Sequence, residues 1–252
     1  MIQSSFPLLH KVIIITMARQ KRSKKPLLAD NHLALADISP MTDNQQLFFK
    51  NFDSDKSQVL MGYPGTGKTF MALYKAFEDL NNPLTDYQRI VIVRSAVPTR
   101  DVGFLPGTLA EKGEVYELPY KSICTELFGR GDAYDILKKH RTIEFITTSF
   151  IRGLTLDRSI IIVDEFQNMT AHEADSVITR VGNFSKILLC GDILQRDLTK
   201  GSEKNIEELL NVLRKMENTF DFTEFGEDDI VRSGLVGDYI KMKHRVYPDG
   251  YK

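Results

Sequence analysis

The chain has 252 residues, 42% of them apolar, which is enough for one α/β domain with extensions or for two small domains. Its formal net charge of −1 excludes a whole-molecule field that would draw it to nucleic acid or an anionic membrane, so any such binding needs a local patch. The two cysteines, Cys124 and Cys190, and the five scattered histidines lack metal-ligand spacing. They point to reduced, buried thiols and away from a disulfide framework or a zinc site.

The run Val12-Ile13-Ile14-Ile15 is too short to span a bilayer. It lacks the basic leader and small-residue cleavage site of a signal peptide. Met17-Ala18-Arg19-Gln20-Lys21-Arg22 reads as a natural start, which makes residues 1–16 a dispensable extension. The cluster Lys11, Arg19, Lys21, Arg22, Lys24 and Lys25 reads as a flexible basic tail, with a nucleic-acid arm as the alternative. Residues 1–40 are expected to be a loosely structured basic extension, and 41–252 a single α/β domain.

Thr42-Asp43-Asn44-Gln45 fits a capping box opening a helix to about Phe52. Ser57 to Met61 reads as a short strand, and Phe70 to Leu80 as a helix. Between them, Gly62-Tyr63-Pro64-Gly65-Thr66-Gly67-Lys68-Thr69 meets every fixed position of the phosphate-binding loop pattern. Its glycines let backbone N–H groups curl inward onto phosphate oxygens, and the following helix N-terminus adds partial positive charge. Lys68 is expected to reach the β- and γ-phosphates of ATP, and the Thr69 hydroxyl to ligate Mg²⁺. The nucleotide-contacting set is Gln45 and the run from Gly62 through Phe70. Gln45 either caps its helix, reads the adenine edge, or does both.

Arg89 to Val93 is a second, β-branched strand. A glycine- and proline-rich connection then runs from Ser95 to about His140, with helices expected at Leu118–Phe128 and Ala133–His140. Strands follow at Thr142–Thr147 and Ser159–Val163. Ile160-Ile161-Ile162-Val163-Asp164-Glu165 drives two carboxylates to the end of a buried strand. Asp164 is expected to hold Mg²⁺ and Glu165 to polarise the attacking water, while Gln167 is placed to report on nucleotide state. A helix at Ala171–Val181 precedes the strand Lys186–Cys190, which delivers Gly191-Asp192-Ile193-Leu194-Gln195. Asp192 and Gln195 are candidates for sensing the γ-phosphate. The remaining elements are a helix at Glu203–Met216, a strand at Thr219–Phe225 and a helix at about Asp229–Met242. Apolar strands alternating with helices predict a mostly parallel sheet covered on both faces, with ligands at the strands' carboxyl ends.

Taken together, these motifs resemble the PhoH family of phosphate-starvation-type P-loop ATPases, related to superfamily 1 helicases. The resemblance covers about residues 40–245. Its most specific pieces are Val93-Arg94-Ser95-Ala96-Val97, Gly103-Phe104-Leu105-Pro106-Gly107, Phe150 to Leu156, Asp164 to Thr170 and Gly191 to Gln195. It implies a RecA-like core and ATPase activity, with RNA or single-stranded DNA as partner. Family members include phage-encoded proteins. Phe166 departs from the small residue often found there.

Phosphoryl transfer calls for an arginine near the γ-phosphate. Related helicases carry it on a second lobe, for which too few residues follow the fifth strand here. The expectation is therefore an arginine supplied by a neighbouring subunit in a homo-oligomeric ring, most simply a hexamer. Arg232 is the first candidate, then Arg100 and Arg152, each with a surface salt bridge as the alternative. Arg94, Ser95, Thr99 and Arg100 occupy the place where related helicases grip a nucleic-acid backbone, and Phe104 either stacks on a base or packs its own loop. A small-molecule kinase fits less well, because the glutamate after Asp164 is placed to activate water. A nucleotide-gated scaffold that does not unwind strands stays open. The expected location is cytoplasmic, with no membrane association.

Overall fold

The computed structural model describes residues 33–95, 109–192 and 203–247. Its elements are α1 (Asp43–Phe52), β1 (Ser57–Gly62), α2 (Lys68–Asn81), β2 (Arg89–Arg94), α3 (Leu109–Phe128), α4 (Ala133–Lys139), β3 (Ile143–Thr147), β4 (Ser159–Asp164), α5 (Ala171–Ile178), β5 (Lys186–Gly191), α6 (Glu203–Arg214), β6 (Phe220–Phe225) and α7 (Gly234–Val246). The six strands form one parallel sheet in the order β3-β2-β4-β5-β1-β6. This is an α/β RecA-like fold, in which β5 separates the phosphate-loop strand β1 from the acidic strand β4.

Strand periodicity explains why both faces are covered. Leu60, Ile90, Ile92, Ile160, Ile162 and Leu188 point to one face, beneath α1 to α4. Their immediate neighbours Val59, Val91, Val93, Ile161, Ile187 and Leu189 point to the other, beneath α5 and α6. Each such buried aliphatic contributes about 1.5–3 kcal/mol. Cys124 and Cys190 are buried free thiols in the first layer. No helix among the described residues is long and apolar enough to cross a membrane.

Several boundaries differ from expectation. Residues 33–40 carry no regular structure, yet they are docked. Leu33 is in the core, the Ala36 N–H donates to the Leu127 carbonyl at 2.8 Å, and Leu35 and Ile38 pack on the same layer. The expected boundary at residue 40 therefore moves back, at least to 33. Helix α3 starts at Leu109 rather than near Leu118, because it runs through Gly113 and Pro119; a proline forfeits one ladder bond without ending a helix that packing supports. Helix α5 stops at Ile178, and Val181 forms an isolated parallel bridge with Leu156.

The last helix begins at Gly234, five residues later than expected. Glu227–Asp229 is a short 3₁₀ turn, and the residues after it are held by other partners. The Asp229 carboxylate accepts from Thr42 Oγ1 at 2.5 Å, Asn44 Nδ2 at 2.7 Å and the Gly226 N–H at 2.7 Å. The Val231 N–H donates to the Gly65 carbonyl at 3.1 Å. A chain pinned in this way cannot close helical turns.

Candidate functional site: a nucleotide cleft at the carboxyl edge of the sheet

The parallel register brings the ends of β1, β4, β5 and β2 to one edge. Met61 is level with Gly191, and Arg94 with Asp164. A cleft of ≈710 Å³ opens there, lined by Lys68, Thr69, Asp164, Glu165, Asp192 and Arg94 among others.

The phosphate loop needs its glycines for two distinct reasons. At Gly62 a Cβ would lie 2.0 Å from the Phe225 carbonyl oxygen of β6, so the close strand approach forbids a side chain. At Gly67, the N-cap of α2, φ is +81°, in the left-handed region that favours glycine. The rest of the loop is braced from outside and from within. Gln45 Nε2 donates to the Thr66 carbonyl at 3.1 Å, and Thr66 Oγ1 donates to the Tyr63 carbonyl at 2.9 Å. The Tyr63 ring stacks on His244 of α7 with centroids 4.4 Å apart.

Lys68 Nζ donates to the carbonyls of Gly62 at 3.0 Å and Tyr63 at 2.5 Å. Burial lowers its pKa, opposed by the nearby acidic groups, Asp192 foremost. Thr69 Oγ1 donates to Asp164 Oδ1 at 2.7 Å, and the buried Tyr120 hydroxyl donates to Asp164 Oδ2 at 2.7 Å. Burial holds the Tyr120 phenol well above its ordinary pKa, so it stays a donor. A hydroxyl and a carboxylate sharing one spot are hard oxygen donors that suit Mg²⁺, which takes few protein ligands when phosphates supply the others.

Glu165 sits in the left-handed region with φ +52°. Burial, with the adjacent Asp164 charge, raises its carboxyl above the usual value. Gln167 is 2% exposed and bridges two strand ends: its Nε2 donates to Glu165 Oε2 at 2.5 Å, and its Oε1 accepts from the Asp192 N–H at 2.8 Å. The carboxylate beside the phosphate site is thus mechanically joined to the end of β5. The buried Phe166 ring fills the layer beneath α5, so the bulk expected to be unusual is absorbed by the core.

The other expected site residues are placed as follows. Arg94 lines the nucleotide cleft, and Tyr120, Asp164 and Glu165 lie in its electrostatic surroundings. Ser95 is buried, and its hydroxyl donates to Glu173 Oε1 at 2.9 Å, an oxygen that also accepts from Thr148 Oγ1 at 2.5 Å. The Ser95 side chain is spent on bracing α5. Gln45 is 4% exposed, and its Oε1 accepts from the Met41 N–H at 2.7 Å. Its amide therefore holds backbone on both sides, and an adenine contact would have to share it. Arg232 is exposed at the lip of its own chain's cleft, against Gly65. Arg152 is exposed and is not among the residues lining the cleft. Phe70 and Pro64 line the cleft as expected. Thr99, Arg100, Phe104 and Gln195 lie outside the described residues.

Sequence reasoning missed Tyr120, Asp229 and the wall formed by Ile38, Met41, Phe49 and Ile123. One tyrosine on an amphipathic helix carries no local signal. The apolar residues Leu33, Leu35 and Ile38 were the available hint that this segment docks.

Fold and site together define a P-loop NTPase with a RecA-like core. The family model described as PhoH-like protein matches residues 37–244, and this chain belongs to the PhoH family. It is 32% identical over 209 residues to the PhoH-like protein of Mycobacterium leprae, covering 81% of this chain and 57% of that protein. With Protein PhoH of Escherichia coli it shares 30% identity over 223 residues, 88% of this chain and 59% of that protein. The chain therefore spans somewhat more than half the length of these relatives. Among solved structures, the large terminase from a thermophilic bacteriophage aligns at TM-score 0.47 and 12% identity, covering 83% of this chain and 50% of that one. Unliganded Pif1 from Bacteroides sp aligns at TM-score 0.39 and 13% identity, covering 83% and 46%.

Proposed function

We propose that this protein hydrolyses ATP with Mg²⁺ and couples hydrolysis to RNA or single-stranded DNA. The observation that carries the hydrolytic half is the Thr69–Asp164 hydrogen bond with Glu165 beside it, opposite Lys68 in one cleft. In this reading Lys68 and the loop N–H groups bind the β- and γ-phosphates, and Thr69 and Asp164 hold Mg²⁺, which neutralises phosphate charge when bound. Glu165 accepts the proton of the attacking water; its raised pKa brings its basicity closer to working pH. Arg94 and Arg232, both lining the cleft, are the cationic groups that would stabilise charge on the transferring phosphoryl group. The apolar wall of Ile38, Met41, Phe49 and Ile123 gives the base a surface to lie on.

The nucleic-acid half rests on family membership; within it Arg94, Ser95, Thr99, Arg100 and Phe104 keep their proposed contacts, and Gln195 its proposed γ-phosphate role. The oligomeric half, a ring of six copies in its simplest form, draws on α7. That helix exposes Leu235, Tyr239, Met242 and Val246 at a spacing that makes one stripe. The proposed location is the cytoplasm.

The test is ATP turnover with and without single-stranded RNA and DNA. Stimulation by either supports the coupled ATPase. Turnover indifferent to both, together with ATP-dependent assembly, would favour a nucleotide-gated scaffold.

A further inference from the structure

The cleft has one side that the phosphate-loop chemistry does not call for. Helix α3 lays Pro119, Ser122, Ile123 and Glu126 along the cleft wall and sends Tyr120 beneath it to Asp164. Tyr120 is fully buried, with its ring packed 5.8 Å from Phe145. A phenylalanine would fill that volume without a polar atom to satisfy, and burying a hydroxyl without a partner is costly. The hydroxyl meets a single carboxylate oxygen at 2.7 Å, while Thr69 takes the other oxygen of the same carboxylate. The two bonds together fix the rotation of the carboxyl plane, which neither fixes alone. Arg94, at the end of β2, interacts with the same phenol and lies 6.0 Å from the Tyr116 ring, one turn earlier on α3.

Resting on the reading of the cleft as a Mg²⁺–nucleotide site, we infer that Tyr120 is a positioning residue for the divalent cation: its hydroxyl orients Asp164 so that Oδ1 faces the cation beside Thr69, and it ties occupancy of that site to helix α3. Groups that orient metal ligands from behind are worth about 10–100-fold in metal affinity.

The test uses the full chain and Mn²⁺ as a spectroscopic probe, titrated by electron paramagnetic resonance in the presence of a non-hydrolysable ATP analogue. The proteins are native, Tyr120→Phe and Asp164→Asn. The proposal expects about tenfold weaker Mn²⁺ binding in Tyr120→Phe, with unchanged analogue affinity in EDTA and, as for any variant that takes a hydrogen bond from the Asp164 carboxylate, a melting temperature below native but a cooperative melt. Native-like Mn²⁺ affinity in Tyr120→Phe, with Asp164→Asn clearly weakened, would overturn the proposal and leave the nucleotide-site reading intact. Cation binding unaffected by Asp164→Asn would overturn that reading and the proposal with it. A second measurement needs no variant: hydrogen exchange of the α3 amides in native protein should slow when Mg²⁺ is added to the analogue-bound form. Unchanged exchange would remove the link to α3.

Discussion

Thr69 and Asp164 stand 95 residues apart in the chain, and their side chains meet at 2.7 Å, the hydroxyl donating to Oδ1. One belongs to the first turn of α2 and the other to the last residue of β4, and β5 lies between their strands. Only a parallel sheet with all carboxyl ends at one edge brings them together. Thr69→Ala should leave the Asp164 oxygen short of a partner and cost about 1–3 kcal/mol of stability. It should also weaken Mg²⁺-dependent nucleotide binding more than binding in EDTA. Thermal melts and fluorescent-nucleotide titrations with and without Mg²⁺ check both parts.

Glu165 gives a prediction that sets stability against chemistry. Its folded-state pKa lies above the ordinary 4.5, chiefly through burial. The stabilising contribution of the protonated group is fully present below 4.5 and is lost as pH rises through the raised value. At neutral pH the ionised side chain is therefore a liability to the fold. Glu165→Gln removes that liability while keeping an acceptor for Gln167. The variant should melt above the native protein at pH 7 to 8, with the gap closing as pH falls toward 4.5. Equal or lower melting at neutral pH would contradict this.

The Asp229 carboxylate works with the opposite sign. Its hydrogen bonds to Thr42 and Asn44 outweigh burial and hold its pKa below 3.8. Its contribution is present above 3.8 and is lost as pH falls through the depressed folded value. Asp229→Asn replaces an ionised acceptor with an amide facing donors from Thr42, Asn44 and the Gly226 N–H. We expect a loss of about 2 kcal/mol at pH 7, shrinking below pH 3.8. Because the same turn leads to Val231 and the Gly65 carbonyl, nucleotide affinity should fall in parallel. Denaturant unfolding across pH reads the first effect, and nucleotide titration the second.

Arg232 lies on its own chain's phosphate loop. Arg232→Ala should lower turnover by about a thousandfold, the lower end of what such arginines supply, with nucleotide affinity little changed. Mixing it with Glu165→Gln separates two arrangements. Action in cis predicts no recovery, because neither chain carries both groups. Recovered turnover in the mixture would show the arginine reaching a neighbour.

The sequence made the phosphate loop, the acidic strand end and the parallel sheet legible because each is written in local residue order: glycine spacing, a β-branched run, carboxylates at its close. Element ends were less legible where tertiary contacts override local signals. A helix is expected only from Leu118, yet α3 begins at Leu109 and runs through Pro119. Asp229 looked like a helix opening, but its carboxylate is claimed by α1. That Arg94 lines the cleft was not legible, because its register opposite Asp164 is encoded by no local pattern.

The most direct test of the central claim is Mg²⁺-dependent ATP hydrolysis by native protein and by Glu165→Gln, with nucleotide binding measured on both. The account predicts turnover in the native protein and its fall by about 10²–10⁴-fold in the variant, while both bind nucleotide with similar affinity. Turnover that survives Glu165→Gln, or native protein that binds ATP with Mg²⁺ and never hydrolyses it, would contradict it.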